Sequence, residues 1–197
     1  MHGISRRDLL RNLSVGVAGG SVLQLIPAEA AQMAHQVVQK EKATSLAGKY
    51  TPKYFTPHQY DTLALLCDSI IPKDENSGGA IEAGAPEFID LLTSENEEYQ
   101  LHLGGGMMWL DSFCADRYQS TFLEATPAER KEVLDLIAYS KNAKADPTLR
   151  QGVAFFARLR YMTCDGFYTS KIGIADLEYI GNTALAEFPG CPPFPTA

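Results

Sequence analysis

Residues 56–72 read TPHQYDTLALLCDSIIP. Thr56 is a natural N-cap, Pro57 fits the first helical position, and Gln59 stands where a capping-box side chain reaches back to the cap. Leu63, Leu66, Cys67 and Ile70 then recur at i, i+3, i+4 and i+7, one face of a helix, and Pro72 stops it. The same grammar returns downstream. Thr126-Pro127-Ala128-Glu129 opens a second capping box, with Val133, Leu134, Ile137 and Ala138 as its apolar stripe. Asp146-Pro147 opens another helix, with Val153, Phe156, Leu159 and Thr163 facing inward. Pro86 starts a short helix that runs to about residue 94, after a Gly-punctuated loop over 72–86.

Residues 96–123 are helical in pattern, but Gly104-Gly105-Gly106 interrupts them. Three interior glycines cost roughly 2–3 kcal/mol against alanines. Either the helix breaks there or another backbone packs closely against it. Residues 174–188 are weakly helical, and the tail from Pro189 to Pro195 carries four prolines in seven residues, which excludes helix and central strand. No convincing alternating strand appears. The fold class is therefore all-α: a small irregular helical bundle over 56–197, preceded by an extended lead segment over 31–55 that is polar and either mobile or ordered on a partner.

The chain has 197 residues, 45% hydrophobic and 21% charged, with a formal net charge of −7 and a pI of about 5.1. These values exclude a largely disordered chain. The acidic balance argues against a nucleic-acid binder, which needs basic surface to displace counterions. The N-terminus is different in character. Residues 5–11 (SRRDLLR) are followed by the uncharged run LSVGVAGGSVLQLI over 13–26 and by Ala28-Glu29-Ala30. That order is a charged region, an apolar region and an A-x-A cleavage site. The run of 14 residues is shorter than the ~20 that span a bilayer. Residues 1–30 therefore read as a signal cleaved after Ala30 rather than an anchor. Arg6 and Arg7 point to the twin-arginine export route, which carries folded passengers, and to a periplasmic location.

No P-loop, no GxGxxG after a strand and no GxSxG is present. His2, His35, His58 and His102 are scattered; Glu98 and His102 stand four apart, but no further metal ligand accompanies them. Asp68, Asp74 and Glu75 read as caps and loop charges rather than paired acid–base carboxylates, and Asp111 and Asp116 as surface charges on a helix. Cys67, Cys114 and Cys164 lie in apolar helical patterns and read as buried thiols; no CxxC or CxxCH occurs. No catalytic, cofactor-binding or metal-binding residue emerges. The C-terminal region is rich in aromatics, glycine and proline. Phe167, Tyr168, Tyr179, Phe188, Pro189 and Phe194 form a candidate partner interface, since aromatics favour interface centres. A tail packed back on its own domain is the other reading.

Three stretches carry a resemblance: LALLCDSIIP (63–72), GAIEAGAPEFID (79–90) and FARLRYMTCDGFYT (156–169), with Tyr-x-Gly-Asn at 179–182 fitting one branch. Their order and spacing resemble the gluconate 2-dehydrogenase subunit 3 family, the small subunits of periplasmic flavin-dependent sugar dehydrogenases. The resemblance implies an all-helical, non-catalytic accessory chain without its own cofactor. It implies FAD in a large partner of the glucose–methanol–choline oxidoreductase type, which lacks an export signal and is escorted through the twin-arginine translocase. A cytochrome c is a candidate electron acceptor. Cys191, between Gly190 and Pro192 in the extended tail, is expected to form a disulfide with the large subunit, with an intrachain bond or a free thiol as alternatives. The rival reading is a self-sufficient periplasmic binding protein or enzyme built on Asp68, His102 or Tyr168.

Overall fold

A computed structural model describes residues 27–45 and 48–179. All regular structure among them is helical. The helices are α1 (Ala28–Thr44), α2 (Pro57–Ile70), α3 (Ala80–Ala83), α4 (Ala85–Ser94), α5 (Glu97–Tyr99), α6 (Gly105–Tyr118), α7 (Pro127–Ile137), α8 (Ser140–Ala145), α9 (Arg150–Tyr168) and α10 (Lys171–Asp176). A π-helical turn, Gln100–Gly104, joins α5 to α6, and a 3₁₀ turn, Pro147–Leu149, leads into α9. The arrangement is the expected small irregular bundle.

Both capping boxes form. Thr56 accepts from the Gln59 N–H and Thr126 from the Glu129 N–H, and each position-three side chain returns a bond to its cap. Asp146 accepts from the Thr148 N–H at the start of the 3₁₀ turn. The long helix α9 is the hub, packing on α2, α3, α4, α6, α7, α8 and α10. Leu63, Leu66 and Cys67 of α2, Phe88, Ile89 and Leu92 of α4, Met107 and Leu110 of α6, and Leu159 and Met162 of α9 are all at most 1% exposed and share one core. Fully burying a side chain of this size contributes about 1.5–3 kcal/mol.

The expected loop at 72–86 contains α3, one helical turn. Glu82 caps it by accepting from the Gly79 N–H, and Gly84 passes the chain into α4 in a left-handed conformation (φ 80°). C-terminally, the helix is Lys171–Asp176, ahead of the weak pattern read at 174–188.

The lead segment differs most from expectation. Residues 28–44 are a helix docked on the body, where the sequence reading made 31–55 an extended lead. Its Ala and Gln content is good helix-forming material. Ala30, Ala31, Ala34 and Val38 make a narrow stripe, each at most 1% exposed, that packs on α4. His35 stacks on Phe88 with ring centroids 5.0 Å apart. Lys42 pairs with Glu87, and Glu41 pairs with Lys53 in the loop that follows. The stripe is made of alanines, which a search for large apolar residues overlooks.

The glycine triplet neither breaks the helix nor admits a second backbone. Instead the helix widens into the π turn, and side chains pack against it. A Cβ on Gly106 would lie 2.0 Å from the Phe155 ring, and one on Gly104 would lie 2.4 Å from the Tyr54 hydroxyl. The Tyr54 hydroxyl donates to the Gln100 carbonyl at 3.1 Å, and Gln151 Nε2 donates to the Gly105 carbonyl at 3.0 Å. These two bonds tie the π turn and the start of α6 to residues 46 positions away in the chain.

Candidate partner interface

Tyr168 and Tyr179 are exposed, at 42% and 54%. Leu177, just after α10, is 58% exposed. Phe167 is a correction. It is 2% exposed and belongs to the interior, with its ring edge-on to Tyr168. On α9, Phe167 continues the inward row of Phe156, Leu159 and Thr163. Phe188, Pro189, Cys191 and Phe194, and the export arginines Arg6 and Arg7, lie outside the described residues.

Two exposed side chains were missed by the sequence reading. Leu101 is 75% and Met108 68% exposed, both on the solvent side of the π turn and α6. Their neighbours Leu103, Met107 and Leu110 are buried. The stripe Leu103, Met107, Leu110 and Cys114 was the available signal, because at about 100° per residue it leaves Leu101 and Met108 on the opposite side.

The charged candidates are accounted for by local structure. Asp74 accepts from the Asn76 and Ser77 N–H groups, which hold its carboxyl below the usual range. Asp68, Glu75 and Asp116 are exposed. Glu98 turns to Arg158 of α9 at 3.1 Å, while His102 faces solvent. Asp111 is not a free surface charge. It receives His58 Nε2 at 2.8 Å and the Phe122 N–H at 3.1 Å, clamping α6 to the start of α2. Among the described residues, no group of three or more His, Cys, Asp or Glu could hold a metal ion. No described helix is long and apolar enough to cross a membrane.

The thiols at 67, 114 and 164 are free. Burial pushes Cys67 up to about 12 and Cys114 up to about 11, so neither is a nucleophile near neutral pH. The Cys67 sulfur lies 3.5 Å from the Thr163 hydroxyl, which itself donates to the Leu159 carbonyl, so the sulfur is the weak donor of that contact.

The most heavily engaged polar group is one the sequence reading did not single out. Asp90 on α4 is 0% exposed. Its carboxylate accepts from the Tyr50 hydroxyl at 2.8 Å and from the backbone N–H groups of Lys53, Tyr54 and Phe55 at 2.7, 3.1 and 3.0 Å. It fixes the loop between α1 and α2 to the body. Burial and the nearby carboxylate push the Tyr50 phenol up, so it stays a donor throughout the physiological range. An open cleft of about 390 Å³ between α8 and α9, lined by Tyr139, Lys141, Val153 and Arg160 among others, holds no convergent acid–base pair.

What the fold and surface define is a helical body with an apolar core and several exposed aromatic and aliphatic side chains. The model of the family "Gluconate 2-dehydrogenase subunit 3" matches residues 57–190, well over half of the chain. The chain belongs to that family. Membership places it among accessory subunits of dehydrogenase complexes and implies a larger dehydrogenase partner. Comparison with curated proteins and with solved structures finds no match.

Proposed function

We propose that this chain is the non-catalytic small subunit of a periplasmic FAD-dependent sugar dehydrogenase, escorting its flavin subunit through the twin-arginine translocase and stabilising it afterwards. The family match over 57–190 carries the reading. The paired Arg6 and Arg7 before an apolar run support the export route, since a signal on one chain serves a complex that crosses folded. On this reading FAD belongs to a partner of the glucose–methanol–choline oxidoreductase type, and a cytochrome c takes the electrons. Tyr168 and Tyr179 stand at the end of the body from which residues 180–197 continue, and they contact the flavin subunit together with Phe188, Pro189 and Phe194. Cys191 forms the intersubunit disulfide.

The test is genetic and simple to score. With Arg6→Lys and Arg7→Lys combined, the flavin subunit should remain in the cytoplasmic fraction along with this chain. A flavin subunit that still reaches the periplasm contradicts the escort role. Tyr179→Asp changes an exposed position, so it should leave the lone chain's Tm unchanged while lowering the yield of co-purified flavin subunit at least several-fold. Unchanged recovery removes Tyr179 from the interface.

A further inference from the structure

The tripeptide that reads as a signal-peptidase site, Ala28-Glu29-Ala30, is the first turn of α1. Ala30 and Ala31, which flank the expected cut, are both 0% exposed, while Ala28 and Glu29 face solvent. The Ala31 N–H donates to the Pro27 carbonyl at 3.0 Å and closes that turn. A signal peptidase binds its substrate as an extended strand and reads the small side chains one and three residues before the cut. A helical turn docked on α4 offers neither the open backbone nor the Ala30 side chain. The product is also disfavoured. Cutting after Ala30 removes the turn that Ala31 closes on Pro27 and leaves a new α-ammonium on Ala31, which is 0% exposed in the uncut chain. It puts that positive charge at a helix N-terminus, where the dipole favours negative charge, and removes Glu29, the acidic residue of the first turn.

We propose that docking of α1 shields the Ala30–Ala31 bond and that the exported protein keeps residues 1–30. The inference rests on the twin-arginine reading above, because only a chain that crosses the membrane folded presents α1 already docked to the peptidase on the far side. The run over 13–26 is shorter than the ~20 residues that span a bilayer as a helix.

The experiment is intact-mass analysis and N-terminal sequencing of this chain, purified in its native complex from the native host. Alongside it, residues 1–33 are fused to an unrelated folded twin-arginine passenger that has no surface for α1. The expected result is a native chain with the mass and N-terminal sequence of a protein that keeps residues 1–30, and a fusion cut after Ala30. A native chain beginning at Ala31 overturns the inference. So does a fusion that stays uncut, since retention would then lie in the leader sequence rather than in docking. Export of the Arg6→Lys, Arg7→Lys chain at the wild-type level would instead sink the twin-arginine reading, whatever N-terminus is found.

Discussion

Asp90 shows how much of this domain hangs on one side chain. Four donors converge on a carboxylate with no solvent exposure, and three of them are consecutive backbone N–H groups. Replacing it with alanine leaves those donors buried without an acceptor, at about 1–3 kcal/mol for each one left unsatisfied. Asp90→Ala should therefore destabilise the domain by more than about 3 kcal/mol, a fall in Tm of roughly 6–12 °C for a chain of this size. Asp90→Asn should fall between, because an amide retains one acceptor oxygen and turns the other position into a donor. Thermal unfolding of the two variants checks this, and an alanine variant within about 2 °C of wild type contradicts it. The role was illegible in the sequence. Phe-Ile-Asp-Leu-Leu looks like an ordinary helix with one polar position, and the donors that explain Asp90 lie 35–40 residues earlier in the chain. Phe167 failed for a related reason. An aromatic in a Gly/Pro-rich neighbourhood suggests a surface, but the face of α9 decides, and residue 167 falls on the buried side.

Among the elements, the π turn and its glycines give a paired expectation. Gly106→Ala drives a Cβ to within 2.0 Å of the Phe155 ring, so it should cost about 1–3 kcal/mol through overpacking. Gly105→Ala meets only the Gln151 side-chain nitrogen at 3.6 Å and should stabilise by up to about 1 kcal/mol through helix propensity. Denaturant unfolding of both variants should move the midpoint in opposite directions; movement in the same direction contradicts the close-packing account. Helix α1 gives a pH expectation. Burial lowers the pKa of His35 below 6.5, outweighing a backbone hydrogen bond at Gly166 and the charge of Glu87, which both raise it. The unfolded chain then binds more protons than the folded one once the pH falls to about 6.5 or below. The contribution of His35 is thus complete above about pH 6.5 and is lost as the pH drops through and below it. Tm should decline on acidification, and the decline should be shallower in His35→Gln. Equal slopes in the two proteins would remove His35 from that dependence.

For the molecule as a whole, the all-helical class was legible because punctuation and periodicity agreed. Two Thr-Pro-x-(Gln/Glu) starts, the stripe Leu63-Leu66-Cys67-Ile70, and Asp146-Pro147 all mark helices that the structure contains. What stayed hidden was non-local. Helix α1 buries alanines, whose burial depends on a neighbour's surface rather than on their own size. The π turn changes the residue count per turn where the pattern assumes it is constant. The family was legible from the order of three short stretches, and the match over 57–190 shows it. The candidate interface was legible only in part: Tyr168 and Tyr179 are exposed, but Leu101 and Met108, the two most exposed of the large hydrophobic side chains described, were not singled out.

The central claim is that this chain works as the partner of a flavin-bearing dehydrogenase. The most direct test is to purify the tagged full-length chain from the native host under gentle extraction and record the absorbance of the eluate, first alone and then with sugars added. The account predicts a larger co-purifying chain, a flavin spectrum, and bleaching of that spectrum by one sugar or related polyol. A colourless chain eluting alone would contradict it.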